Sequence, residues 1–555
     1  MMKNCIKKAA AVSGALLMAF SGVACGGKPE TGEGTLDIYV HKAGYGVQWA
    51  YDLKDAFMQE EWVKAKYSNL NVIVTDGDQD GYVKSKLVAP NNNHYDLMLG
   101  FDSDYPKDNS LLEDLYDDVY NQVIPGEGTT KYIDRYFDSY ATMNKYVDPN
   151  DTSGKDKYYV TAWAGGMNGI FYNEDLLIAM GYSVPRTTDE LLAICNAIYE
   201  DRTDGVAETN DVYEGYSFIQ SSGLAYLTYV MPIWWAQYDG IQGYNDFYNG
   251  VYDNKLSKSI FSEYKGRLYS LEVFEDLFGY GEDKKVGNTT YVGKHLNPQS
   301  MSPDYTYKIA QGLFLRGQGV FHVNGDWFEQ EMKEKKAEIK QMEGIDYSIK
   351  MMRMPIISKL GEKLGITDSE LAAIVDYVDG TTTTAPTFTS TLGYDSDLII
   401  EAVREARGVV HSIGAQHMSY VPSYAREKDI AKDFLLFMAT DKAQDIYMQA
   451  TGGCSLPFKY DVKTENPDVY AALTDMQKAR IDYFNSDTVT VYTLPAPESF
   501  PLVKVGGLRA FSISDYHTVL TMKNAKKSAQ TIFDDTIADW HDQKWSDACS
   551  KANVQ

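Results

Sequence analysis

Thr35-Leu36-Asp37-Ile38-Tyr39-Val40-His41-Lys42-Ala43-Gly44-Tyr45-Gly46 opens the folded part of the chain. Apolar Leu36, Ile38 and Val40 alternate with Asp37 and Tyr39, the period of a strand. The Gly44-Tyr45-Gly46 turn then hands the chain to an amphipathic stretch over residues 49–62. The β-loop-α pattern continues, with a second strand at residues 71–75, a second helix starting at 82–88, and a third strand at 95–99 running into Gly100-Phe101-Asp102. Strands alternating with helices predict an α/β fold built on a parallel sheet covered on both faces. The glycine pair is not a dinucleotide fingerprint, because Trp49 stands at the third glycine position of G-x-G-x-x-G.

Upstream, Lys3, Lys7 and Lys8 precede an apolar run at residues 9–20 and the small residues Ser21-Gly22-Val23-Ala24. This is the pattern of a secretory signal peptide over residues 1–24, too short for a permanent membrane helix. Cys25 directly after it resembles the lipobox of bacterial lipoproteins, with Gly22 where that pattern has Leu. The resemblance implies a diacylated Cys25 and a lipid-linked flexible tether over residues 25–34. Plain cleavage near Ala24 with release is the alternative.

The chain carries 52 Lys and Arg against 78 Asp and Glu, a net charge of −26, and the signal holds no acid, so its removal makes the body more acidic still. That sign excludes nucleic acid and peripheral contact with anionic lipid, leaving the lipid as the only membrane attachment. About 530 residues after the signal exceed what one core organises, so two lobes are expected. Cys195, Cys454 and Cys549 show no C-x-x-C spacing, which excludes a zinc knuckle and a disulfide framework. Cys195, among Leu191, Leu192, Ile194 and Ile198, reads as a buried, inert thiol. No nucleophile elbow, H-E-x-x-H helix or P-loop occurs, so the chain reads as a binder and not an enzyme. Its 43 tyrosines and 8 tryptophans offer flat faces with polar edges, which suit sugar rings.

Further along, Thr187 and Glu190 form a capping-box pattern at a helix start. Residues 319–323 predict a strand delivering Asn324-Gly325-Asp326-Trp327 to a loop, and residues 429–438 and 443–449 predict helices ending at Gly452-Gly453. Residues 285–304 and 358–396 read as insertions, while Trp234-Trp235 with Tyr238 reads as core.

The order of these segments resembles the extracellular solute-binding proteins of bacterial ABC importers, in the sugar-uptake branch that includes maltose-binding protein. Gly169-Ile170-Phe171-Tyr172-Asn173-Glu174-Asp175-Leu176, the run from Gly181 through Pro185 and Thr187 to Glu190-Leu191, Gly317 to Trp327, and Ala431-Lys432-Asp433-Phe434-Leu435 with Thr451-Gly452-Gly453 carry it. Asn524-Ala525-Lys526-Lys527-Ser528-Ala529 is similar to the family's closing helix. The resemblance implies a two-lobed periplasmic-binding-protein-like fold of type II, with discontinuous lobes joined by a hinge. Residues 35–150 and 351–425 are assigned to lobe 1, and 151–350 and 426–555 to lobe 2. It also implies capture of a carbohydrate, an oligosaccharide, between the lobes by a monomeric receptor outside the cell membrane, with delivery to ABC transporter permease subunits and no cofactor.

A sugar site needs planar hydrogen-bonding groups and an aromatic platform. The residues expected to supply them are His41, Lys42, Tyr45 and Gln48 after the first strand, Phe101, Asp102 and Asp104 after the third, Trp163 and Asn168 between the lobes, and Asn324, Asp326 and Trp327. The resemblance puts Trp327 under a sugar ring; a core plug is the competing reading. Asp76-Gly77-Asp78-Gln79-Asp80-Gly81 matches half a calcium loop, but Leu87 holds the position of the bidentate Glu, so an acidic turn competes with calcium at Asp76, Asp78 and Asp80. Two other functions fit the composition: a secreted hydrolase with two carboxylates across a cleft, and a receptor of the same fold for peptide or ferric iron.

Overall fold

A computed structural model describes residues 34–554 except 107, 147–154, 205–212, 214, 221, 280, 282–283, 287–288, 292–293, 303, 487, 498–499, 512–515 and 522–526. The signal peptide, Cys25, most of the tether and Asn524–Lys526 therefore lie outside the described residues. Nine strands organise the body: β1 (Thr35–His41), β2 (Asn71–Gly77), β3 (Leu97–Phe101), β4 (Thr161–Ala162), β5 (Asn168–Asn173), β6 (Tyr216–Phe218), β7 (Gly319–Gly325), β8 (Ile349–Met351) and β9 (His417–Tyr420).

They form two sheets, ordered β2-β1-β3-β9-β4 and β8-β5-β7-β6. In the first, β1 runs parallel to β2 and β3, as the alternation predicts, but β9 enters antiparallel between β3 and β4. The second is mixed, with β7 parallel to β6 and antiparallel to β5. β1 is buried along its whole length because both faces are covered. Asp37 tolerates this because its carboxylate accepts from Arg426 at 3.1 Å. On the helix Gln48–Gln59, Trp49, Ala50, Leu53 and Phe57 share one buried face. Each large side chain so covered is worth about 1.5–3 kcal/mol.

Two large cores result. One gathers Leu36, Ile38, Trp49, Phe57 and Leu99 with Ile430, Phe434, Phe437 and Tyr447. The other gathers Ile170, Phe218, Trp234 and Val323 with Met352, Leu371, Val403, Val489 and Phe533. The lobe boundaries expected from sequence therefore change. Residues 352–409 pack in the second body and residues 430–458 in the first, the reverse of the sequence assignment. The physical reason is that the chain crosses between the sheets at residues 163–167 and returns at 411–416, with the loop at residues 452–456 packed against the first crossing. These segments are tied to one another: Asn168 N–H donates to His411 O (2.8 Å), Trp163 N–H to His417 O (2.8 Å) and Gly165 N–H to Ser455 O (2.8 Å).

Residues 358–396, expected to be an insertion, contain the helix Asp368–Val378, whose Leu371, Ile374, Val375 and Val378 belong to the second core. Trp234 and Trp235 are core, as expected. Thr187 Oγ1 accepts from Glu190 N–H (3.2 Å), but Glu190 turns its carboxylate to Arg186, so half of the expected capping box forms. Cys195, Cys454 and Cys549 are free and buried, and burial pushes the Cys195 thiol up to about 12.

Candidate functional site

The loops after β1 and β3 face the turn after β7 across the crossings. β1 ends at His41, whose ring meets Phe101 edge-on at 4.6 Å. Lys42 and Gln48 are exposed, and Gln48 bonds Asp52 on its own helix (2.8 Å). Tyr45 turns inward, 1% exposed, with its hydroxyl 3.4 Å from Gly165 O. After β3, Asp104 is not a rim residue: its carboxylate accepts from the Phe101 and Lys84 amides (3.0 and 3.1 Å) and is spent closing its own turn. Phe101 and Asp102 stay half-buried.

Trp163 and Trp327 come from opposite sides of the seam. Trp163 stacks on Trp49 at 5.2 Å and donates its indole N–H to Gly100 O (3.0 Å). Trp327 leaves the end of β7 yet packs in the first core, 6% exposed. It fits because Gly44 lacks a side chain, since a Cβ there would lie 2.5 Å from Trp327 Cδ1. Tyr45 touches both indoles edge-on at 5.9 Å. The chain of rings continues through His417, 5.3 Å from Tyr45 and 4.8 Å from Trp163, to Phe101. On the other side Tyr229 lies 6.5 Å from Trp327 and 6.0 Å from His411. His417 and Tyr229 were missed because only the pairing of β9 with β3 and the path of the crossings bring them here.

The polar members serve the frame. Asn168 is buried and accepts from Ile413 N–H (2.7 Å), so it pins two crossings together. Asn324 lies inside β7, not in the loop predicted, and bonds His322 (3.1 Å) and the Gly325 amide (2.8 Å). Asp326 is buried opposite Arg480, 3.2 Å away. Burial raises its carboxyl against the pull of that guanidinium. Asp76, Asp78 and Asp80 are exposed, Asp76 accepts from Tyr51 (2.7 Å), and the three do not converge on one point.

Two cavities flank the ring cluster. One of about 260 Å³ lies between the turn after β3 and the side chains of Ala496 and Lys504, lined also by Asp102, Tyr105, Tyr146, Tyr159 and Gln416 among others. The other, about 400 Å³, lies where Phe137 and Phe458 face Arg480, Phe484 and Tyr492. Both join the two bodies.

No family model matches the chain, and no curated protein does. Solved structures do. RafE from Streptococcus pneumoniae, in its apo form, superposes with a TM-score of 0.51 at 13% identity, covering 91% of this chain and 96% of that one. This is the two-lobed solute-binding-protein fold. RafE described as an SBP in complex with raffinose gives a TM-score of 0.49 at 13% identity over 91% of this chain and 98% of that one. The GacH receptor of Streptomyces glaucescens gives 0.48 at 14% over 93% and 100%. At these identities the likeness to solute-binding proteins is one of architecture. No helix among the described residues is long and apolar enough to cross a membrane.

Proposed function

We propose that the protein is an extracytoplasmic receptor that captures a carbohydrate, an oligosaccharide, between its lobes and presents it intact to an ABC transporter permease, held at the membrane by lipid on Cys25. The observation that supports this most is the run of rings across the seam, from Phe101 and His417 through Tyr45 to Trp327 and Tyr229. Parting the lobes about the crossings would bare ring faces from both bodies at once, and closing them on a sugar would sandwich it. Phe101, Asp102, Lys42 and Gln48 already reach solvent at the rim. The geometry favours binding over hydrolysis. Asp102 is the one carboxylate among the lining residues of the smaller cavity. In the larger one, Asp138 accepts from Lys459 (2.8 Å) and Asp461 from Asn485 (2.9 Å), so neither is poised as a general acid or nucleophile.

A thermal-shift screen against mono- and oligosaccharides tests the reading, because a ligand of the native state alone raises the melting temperature. Trp327→Ala is expected to weaken the best ligand by about 1 kcal/mol or more. Shortened glycans in the incubation would replace the receptor with a hydrolase. Cys25→Ser is expected to move the protein from the membrane fraction to the medium; unchanged fractionation would remove the anchor.

A further inference from the structure

Lys504 ends the short helix Pro501–Lys504, carried by the second body, and reaches across the seam into the smaller cavity. Its ammonium lies 5.4 Å from the ring centre of Tyr105 and 5.8 Å from that of Tyr146, both in the first body. It forms no ion pair with any described residue, and burial lowers its pKa. Ring faces attract a cation but do not neutralise it, so the ammonium, exposed at the edge of the cavity, keeps its charge for an anionic partner. Of the remaining charges of the lining, the cation is paired and the carboxylate is held in its own turn. Lys145 pairs with Asp156 at 2.6 Å. Asp102 accepts from its neighbour Ser103 N–H at 2.7 Å. The other walls suit a sugar ring: Tyr146 and Tyr159 meet edge-on at 5.2 Å, and Asn144 keeps a carbonyl oxygen without a hydrogen-bond donor. Lys504 itself remains in contact with solvent, so a ligand can reach it.

We propose that Lys504 sets specificity, and that the captured carbohydrate carries an anionic substituent, a carboxylate or a sulfate, which pairs with this ammonium while a neighbouring ring lies against the tyrosines. The proposal rests on the carbohydrate-receptor reading above and names the class of sugar. Closure would then bring the cation of one lobe onto an anion held by the other.

The test is a glycan array bearing neutral, uronate-containing and sulfated oligosaccharides, followed by calorimetry on the hits at low and high salt. Hits are expected on the acidic arms, and whether uronates or sulfates respond decides between the two substituents. Lys504→Gln is expected to weaken the acidic hits about tenfold or more, the loss of a hydrogen bond to a charged group. Lys504→Arg should keep most of the affinity, and added salt should weaken the parent protein but not the Gln variant. An unchanged melting temperature for Lys504→Gln shows that its fold is intact. Hits confined to neutral glycans, or acidic hits indifferent to Lys504→Gln, would overturn the proposal and leave the sugar receptor standing. Silence on every arm would end both.

Discussion

Trp327 occupies a space that Gly44 leaves for it, and the contact joins a residue at the end of β7 to the loop after β1. Gly44→Ala is expected to push the indole off this loop and open the seam, seen as a larger radius of gyration in small-angle scattering; an unchanged radius would show that the indole is not what holds the two loops together. Next to it, Asp326 and Arg480 are buried as a pair, and burial raises the carboxyl to about 6. A raised carboxyl binds its proton more tightly in the folded state, so this group's contribution to stability falls as pH rises from about 4 to about 6. Arg480→Met should therefore destabilise by about 3–5 kcal/mol near pH 8, where it strands a buried carboxylate, and by less at pH 5. Urea unfolding at the two pH values measures the difference, and equal losses would contradict the pairing. The rings that gather at the seam were legible in the sequence, where Tyr45, Phe101, Trp163 and Trp327 stand out. The roles of Asn168, Asn324 and Asp104 were not, because an amide or carboxylate that closes a turn looks the same in sequence as one that meets a ligand.

The crossings are the elements that decide how the bodies can move. Gly414 faces the backbone of the first crossing so closely that a Cβ would lie 1.9 Å from Gly165 O. Gly414→Ala must separate two main chains, not a flexible side chain, and is expected to lower the melting temperature more than Gly44→Ala does. Asn168→Ala leaves the Ile413 amide without its acceptor and should cost about 1–3 kcal/mol by urea unfolding. A cost near zero would mean that water replaces the side chain. Elements with strong local patterns were predicted within two residues: β1, β2, and the helices Lys428–Met438 and Asp441–Thr451. β9 was not, since His417-Met418-Ser419-Tyr420 has no clear alternation and is held as a strand by β3 and β4, which are remote in sequence.

At the scale of the molecule, four imidazoles, His295, His322, His411 and His417, are held near 4 by burial. Unfolding frees them to titrate at about 6.5, so the stability they confer is complete above that value and is lost as pH falls toward 4. Raised carboxyls oppose them, Asp239 and Asp326 at about 6 and Glu272, Asp276, Glu329, Glu331 and Asp368 in the same direction; the imidazoles are expected to win, with a urea midpoint that falls on acidification. A midpoint that rises on acidification would show the carboxyls winning. The two-body architecture followed from the segment order, but the membership of residues 352–409 and 430–458 did not. Hydrophobic periodicity marks the buried face of a helix without saying which sheet covers it.

The interleaving of the two cores has a consequence for how the protein is made. The apolar face of Gln48–Gln59 is covered by Asp441–Thr451, and Lys442 clasps Glu60 from 382 residues further along. During synthesis the N-terminal portion emerges with Trp49, Leu53 and Phe57 bare, and nearly the whole polypeptide must follow before they are sealed. Such a nascent chain invites aggregation unless a chaperone shields it, and a clone truncated ahead of Asp441 would yield insoluble product, not a folded half.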